Sequence, residues 1–112
     1  MGEHWWGELD ERFLRSATAF CGGIGGTREE LCGAFSAGVM LVSARYGRLT
    51  PHEDELPAYA RTRAFRLRFL LRWKTLRCAP LREQVYGPGG PGSCVAVGEE
   101  TVRILLNLLE GA

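Results

Sequence analysis

Apolar residues recur every three or four positions along most of this chain, with charged residues between them. This spacing places the apolar side chains along one face of a helix. The first such stretch covers residues 5–20, and its apolar positions are Trp6, Leu9, Phe13, Ala17 and Phe20. Gly22 and Gly23 follow, and glycine commonly ends helices. The pattern therefore predicts a first amphipathic helix over residues 5–20.

A second helix is predicted over residues 28–46. Thr27 and Glu30 have the spacing of a capping box, in which the two side chains satisfy backbone N–H groups at the helix start. The interior of this helix is rich in small residues, including Gly33 and Gly38. Each glycine costs a helix on the order of 1 kcal/mol relative to alanine. We therefore expect another backbone or a cofactor to approach this helix closely.

A third helix is predicted over residues 57–76, after a start signal made by Thr50, Pro51 and Glu53. It carries two apolar stripes on nearly opposite faces. One stripe contains Thr62, Phe65, Phe69, Trp73 and Leu76, and the other contains Ala60, Ala64, Leu67 and Leu71. A helix with two apolar faces packs against two partners. We expect one of these partners to be a second copy of the chain, which predicts a homodimer.

The remainder of the chain predicts a short helix after Pro80, a loop over residues 87–93 and a last helix that begins at Ser93 or Cys94. No segment alternates between apolar and polar residues as a strand would. The sequence therefore predicts an all-α fold, a bundle of about four main helices. With 112 residues, the chain has the length of one domain, so we assign residues 1–112 to a single helical four-cysteine domain.

Charge gives little indication of a binding partner. The net charge is +1, which produces no strong field towards nucleic acid or a membrane. Residues 56–82 do contain eight basic and no acidic residues, but the aromatic residues among them follow a core-type stripe. This favours a solvated face, a dimer seam or an acidic redox partner over nucleic acid. The N-terminus lacks a secretory pattern and the apolar runs are too short to span a bilayer, so we expect a cytoplasmic protein.

The four cysteines are the strongest candidates for chemistry. They are Cys21, Cys32, Cys78 and Cys94, separated by ten, 45 and 15 residues. No Cys-x-x-Cys pair is present, so a zinc finger or a bacterial ferredoxin spacing does not fit. Each cysteine lies near a predicted helix end, and the helix ends of an antiparallel bundle can meet at one pole.

Three kinds of function remain open from the residues alone. A helix N-terminus favours the thiolate form of cysteine, and Cys32 and Cys94 lie near predicted helix starts. Thiolates serve both iron–sulfur ligation and dithiol exchange. Free cysteine also behaves as a small buried hydrophobe, which would make the protein a helical interaction subunit. The glycine run at residues 22–26 lacks the Lys-Ser/Thr of a phosphate loop and follows a helix, so nucleotide binding is disfavoured.

The segment CGGIGGTREELCGAFSAGVMLVSARYG resembles the core of the redox-active family named for its C_GCAxxG_C_C pattern. These small helical four-cysteine proteins occur widely in anaerobic bacteria, and a related domain occurs in a dimeric split-Soret cytochrome associated with an iron–sulfur centre. The segments AYARTRAFRLRFLLRWKTLRCAPL and SCVAVGEETVRILLNLL resemble the long helix and the C-terminal helix of the family. The resemblance covers residues 9–110.

Carried over to this chain, the family pattern matches Cys32, Cys78 and Cys94, and Gly33 and Ala34 match its motif. The last glycine of the motif falls at Ala37, with Gly38 one residue later. The family's first cysteine normally lies on an additional N-terminal helix that has no counterpart here. Cys21 stands where the family usually has glycine, and we predict that it replaces that cysteine.

Together these observations predict a small redox protein that binds an iron–sulfur cluster for electron transfer or redox sensing. A two-iron cluster is one of the cluster types considered. It is expected to be an accessory redox protein with a redox partner rather than a stand-alone enzyme. The predicted ligands are the four cysteines, and the predicted cofactor contacts are Gly22, Gly23, Gly25, Gly33 and Ala34. The alternatives are zinc at the same thiolates, a metal-free dithiol protein or thiol carrier, and a subunit with structural cysteines.

Overall fold

The computed structural model describes Gly7 and residues 10–111, and the regular secondary structure of this range is helical. Its α-helices are α1 (Glu11–Ser16), α2 (Gly33–Tyr46), α3 (Leu56–Trp73), α4 (Cys78–Tyr86) and α5 (Val95–Glu110), and a 3₁₀ turn spans Thr18–Phe20. The described range contains no strand, only one isolated bridge between Leu31 and Arg77. The prediction of an all-α bundle is confirmed.

The core is formed by the three long helices α2, α3 and α5, each of which packs against the other two. At its centre, the ring centroids of Phe35 and Phe65 lie 5.1 Å apart, and Phe69 meets Phe35 edge-on at 5.3 Å. Val42 and Leu105 are fully buried beside them. Aromatic pairs at these separations add stabilisation beyond their buried area.

Gly38 allows α2 and α3 to approach closely. A Cβ atom at this position would lie 2.6 Å from Cζ of Phe65, a separation that atoms in close-packed cores do not adopt. The sequence predicted another backbone or a cofactor as the close neighbour of this helix, whereas at Gly38 the neighbour is an aromatic side chain.

In the described range the first helix ends four residues before its predicted end. Trp6 and Leu9 lie outside the described residues. In the described range, Asp10 caps α1 by accepting the N–H of Arg12 at 2.8 Å. The helix ends at Ser16, whose hydroxyl donates to the carbonyl of Arg12. Such local bonds compete with helix continuation, and the chain continues as the 3₁₀ turn.

The second helix begins at Gly33, not at residue 28, and the predicted capping box does not form. Thr27 instead serves the preceding loop: its hydroxyl donates to the carbonyl of Gly23 at 2.8 Å. Arg28 has a φ of 63°, which is left-handed and incompatible with a first helical turn. The residue that precedes α2 as its N-cap is Cys32.

The third helix ends three residues before its predicted end. Lys74 adopts a left-handed conformation and donates its N–H to the carbonyl of Leu70, which closes the helix. Of the two predicted stripes, Phe65 and Phe69 are fully buried, whereas Leu67 and Leu71 are 57% and 72% exposed. One apolar face of α3 therefore meets solvent within this chain.

None of the helices in the described range combines the length and the apolar character that crossing a membrane requires.

Candidate functional site

All four cysteines line one cavity of about 310 Å³. They reach it from three separate parts of the chain: Cys21 and Cys32 flank the glycine-rich loop, Cys78 is the first residue of α4, and Cys94 is the N-cap of α5. The other lining residues are Ala17, Gly22, Gly33, Ala34, Leu81, Arg82 and Val97. The described part of the chain thus gathers every cysteine at one place.

The glycine-rich loop turns left-handed between the first two cysteines. Each residue from 22 to 26 has a positive φ, between 61° and 74°. Four of these five residues are glycine, which adopts this conformation without steric cost, and the fifth is Ile24. The turn is closed by the N–H of Arg28, which donates to the carbonyl of Gly22 at 2.8 Å. The loop thereby returns the chain to the cavity at Cys32.

Two glycines bring the backbone into contact with the cysteines. A Cβ at Gly23 would lie 2.6 Å from Cβ of Cys78, and a Cβ at Gly33 would lie 2.9 Å from Cα of Cys21. Side chains at these two positions would push the cysteines away. The glycines therefore set the distance between the loop, α2 and α4.

A short backbone bridge joins Cys32 to Cys78. The N–H of Cys32 donates to the carbonyl of Leu76 at 2.7 Å, and the N–H of Cys78 donates to the carbonyl of Glu30 at 2.9 Å. These are the two hydrogen bonds around the Leu31–Arg77 bridge. Because backbone bonds hold both segments, the positions of the two thiols do not depend on side-chain contacts alone.

Cys94 enters the cavity from the loop before α5. The N–H of Gly92 donates to the carbonyl of Val85 at 2.8 Å, which folds this loop back against α4. The thiol of Cys94 then accepts a hydrogen bond from Nη1 of Arg82 at an N–S distance of 3.7 Å. The guanidinium of Arg82 lies over the ring of Tyr86, 4.7 Å from its centroid.

The four thiols differ in exposure. Cys32 and Cys78 are 8% and 6% exposed, whereas Cys21 and Cys94 are exposed to solvent. All four are free thiols. The cavity thus has two thiols at its inner wall and two at its mouth.

Burial raises the pKa of the Cys32 thiol above its ordinary value. The N–H groups of Phe35 and Ala34 oppose this shift, although Cys32 forms no side-chain capping bond, and negative charge on Cys78 or Cys94 adds to it. The expectation that the start of α2 favours the thiolate of Cys32 is therefore corrected: desolvation outweighs the helix terminus.

The predicted cofactor contacts occupy different places. Gly22, Gly33 and Ala34 line the cavity, and Gly23 packs behind Cys78. Gly25 is not among the lining residues, and a Cβ there would meet no atom within 4 Å. A larger apolar hollow of about 610 Å³ lies beside α2, but its described lining contains no cysteine, histidine or charged residue.

Arg82 was not among the site residues predicted from the sequence. One feature of the sequence does point to Arg82: it lies four residues after Cys78, and residues four apart share one helix face. Arg82 is one of eight basic residues in the segment 56–82. The charge pattern alone gives no reason to distinguish it from the others.

A small all-α protein whose four free thiols line one cavity has the donor groups of a thiol-based redox site. The model of the family described as "Putative redox-active protein (C_GCAxxG_C_C)" matches residues 2–108. The chain belongs to this redox-active family, as its sequence pattern predicts. Comparisons with curated proteins and with solved structures find no match.

Proposed function

We propose that this protein is a small redox protein that holds an iron–sulfur cluster through cysteine thiolates, for electron transfer or redox sensing. The observation that carries the proposal is the convergence of Cys21, Cys32, Cys78 and Cys94 on one cavity. Four cysteine thiolates are the ligand set of the simple two-iron and four-iron clusters. Membership of a redox-active family supports the same conclusion.

Cysteine thiolates are ligands both of iron–sulfur clusters and of single zinc ions. No three cysteine, histidine, aspartate or glutamate side chains within the described range are grouped closely enough to hold one metal ion. Ligands of one tetrahedral zinc lie about 2.3 Å from the same metal atom. In a four-iron cluster each thiolate binds its own iron, so the thiolates lie further apart than the ligands of one ion, whereas each iron of a two-iron cluster takes two thiolates.

The chain would supply the surroundings of such a cluster. Cys32 and Cys78 would hold its inner side, where burial limits solvent access, and Cys21 and Cys94 would hold its outer side. The cluster would supply one-electron chemistry, and its potential depends on net charge, hydrogen bonds to sulfur and exposure. A redox partner protein would exchange the electron at the cavity mouth, where the two outer thiols are exposed.

The first experiment is an ultraviolet–visible spectrum of protein purified without oxygen, with analysis of iron and acid-labile sulfide. The proposal requires visible charge-transfer bands and matching amounts of iron and sulfide. Zinc without sulfide would contradict it in favour of a mononuclear site. A colourless protein without metal and with four titratable thiols would contradict it in favour of dithiol chemistry.

Single Cys→Ser variants then test the ligand set. Cys32→Ser, Cys78→Ser and Cys94→Ser are each expected to abolish cluster binding, since a thiolate ligand is lost. Cys21→Ser tests the predicted replacement of the family's first cysteine. A full cluster spectrum and stoichiometry in Cys21→Ser would show that a fourth ligand comes from elsewhere.

A metal-free dithiol protein is the second candidate, and the exposure of Cys21 and Cys94 favours it. An exposed thiolate can attack a disulfide, after which a second thiol of the same cavity resolves the mixed disulfide. Mass mapping of the oxidised metal-free protein distinguishes this candidate. It requires one defined cysteine pair that forms and opens reversibly without loss of fold.

A further inference from the structure

Arg82 is the only charged side chain among the described residues that line the four-cysteine cavity. It lies one helical turn after Cys78 on α4, so both side chains are on the same face. Its Nη1 donates to the Sγ of Cys94 across 3.7 Å. One guanidinium thus contacts an outer thiol and lies one turn from an inner thiol.

The guanidinium of Arg82 is held in place by an aromatic ring, and its positive charge is not paired with a carboxylate of the described range. It lies 4.7 Å from the centroid of the Tyr86 ring, a cation–π arrangement that keeps the positive charge. No carboxylate in the described range forms an ion pair with Arg82, whereas Arg72 and Arg103 both pair with Glu100. The positive charge of Arg82 is therefore available to the sulfur atoms.

The cavity accumulates negative charge when its thiols ionise. Cys32, Cys78 and Cys94 line the same cavity, so negative charges on them would lie close together. A one-electron reduction of a bound cluster, with the electron supplied by the redox partner, would add one more negative charge. The guanidinium of Arg82, the one positively charged group of the described lining, can offset this negative charge.

We propose that Arg82 is the charge-compensating residue of the four-cysteine site: it attracts anionic reactants to Cys94 and stabilises the more negative redox state of the site. Arg82 acts through Cys94 and is a positioning residue. Its effect on Cys94 is a property of the protein without metal. Its effect on the redox state rests on the proposed iron–sulfur function.

The first test compares two alkylating reagents on the reduced, metal-free protein. Iodoacetate is an anion and iodoacetamide is neutral, and both react with the same thiolate. The ratio of their rates at Cys94, followed by peptide mass spectrometry, therefore cancels the degree of ionisation and reports the local charge. Loss of one positive charge about 4 Å away is expected to lower the ratio about fivefold in Arg82→Gln. Arg82→Lys keeps the charge and is expected to keep most of the ratio.

Arg66→Gln is the matched control. Arg66 is an exposed arginine of α3 that lies outside the cavity lining, so its loss changes the net charge equally. The ratio at Cys94 should stay at the wild-type value in this variant. If Arg82→Gln slows both reagents equally, or lowers the ratio no more than Arg66→Gln does, the proposal is overturned. Should Arg82→Gln fail to fold, Tyr86→Leu replaces it: loss of the ring that holds the guanidinium should lower the ratio at Cys94, and an unchanged ratio would overturn the proposal.

The second test is the midpoint potential of the iron-loaded protein. Arg82→Gln is expected to lower it, because the reduced state loses its compensating charge, whereas Arg66→Gln should leave it unchanged. An unchanged potential in Arg82→Gln would overturn this half of the proposal. A wild-type protein that binds no cluster would end the iron–sulfur proposal, while the alkylation ratio would still decide the role of Arg82.

Discussion

At the scale of single residues, Gly23 determines how closely the glycine-rich loop approaches the site. It has a φ of 69°, and a Cβ there would lie 2.6 Å from Cβ of Cys78. We expect Gly23→Ala to lower the free energy of unfolding by about 2–4 kcal/mol, the sum of the left-handed strain and the overpacking. Chemical denaturation measures this change, and cluster loading should fall with it because Cys78 is displaced.

Gly25→Ala is the control for that substitution. Gly25 has a similar φ of 61°, but a Cβ there would meet no atom within 4 Å. Only the left-handed strain remains, so a loss of about 1 kcal/mol is expected. Equal losses in the two variants would show that the contact with Cys78 contributes nothing.

Cys32 provides a pH-dependent contribution to stability. Burial raises its pKa in the folded chain, so above the ordinary thiol pKa of about 8.5 the folded chain binds more protons than the unfolded chain. Stability therefore falls as the pH rises from that value through the pKa of the folded state. The reduced, metal-free wild type should lose stability more steeply across this range than Cys32→Ala, measured by denaturation at each pH. Parallel curves would contradict this assignment.

At the scale of the helices, two interior glycines predict opposite responses to one substitution. In α2, Gly38→Ala gains helix propensity but places a Cβ 2.6 Å from the Phe65 ring, and we expect a net loss of about 1–3 kcal/mol. In α5, a Cβ at Gly98 would meet no atom within 4 Å, so Gly98→Ala should stabilise by about 0.5–1 kcal/mol. Thermal unfolding of both variants tests the pair, and a stabilised Gly38→Ala would contradict the close contact between α2 and α3.

The faces of the helices could be predicted from the sequence, whereas not all of their starts could. Apolar periodicity identified the buried face of α3, because Phe65 and Phe69 meet a core on that side. The start of α2 could not be predicted from Thr27 and Glu30, since the left-handed loop and the bridge to Arg77 use that segment. The bridge is a contact between residues that are far apart in sequence. Local capping rules consider only neighbouring residues, so they do not predict it.

The sequence also predicted part of the site, namely the features that depend on local position along the helices. The proximity of the cysteines to helix ends predicted that they can meet at one pole, and the structure brings the four of them to one cavity. Their separate exposures and the contact of Arg82 with Cys94 depend on how α4 and α5 pack. Whether the thiols hold metal stays a prediction.

At the scale of the whole molecule, the outward face of α3 is where we predict a second copy to bind. Leu67 and Leu71 are exposed there, and the exposed Arg63 and Arg68 flank them. Across a two-fold axis these arginines would repel each other, so raising the salt concentration should strengthen the homodimer. Sedimentation equilibrium over a range of concentration and salt measures the association.

Leu67→Ser should weaken that dimer, since it removes apolar area from the face. Leu49→Ser is the control, because Leu49 is 95% exposed but lies outside α3. A wild type that remains monomeric at every concentration would contradict the homodimer. Association that weakens with salt would mean that the arginines bind acidic groups instead.

The open mouth of the cysteine cavity has a consequence for the order in which the protein matures. Phe35, Phe65 and Phe69 join α2 and α3 through ring contacts that need no metal, so the bundle can form first. Cys21 and Cys94 are then still exposed to solvent. A zinc finger, by contrast, is unfolded until its ion arrives. Here a cluster would enter a bundle that is already folded, so the metal-free protein would keep its fold.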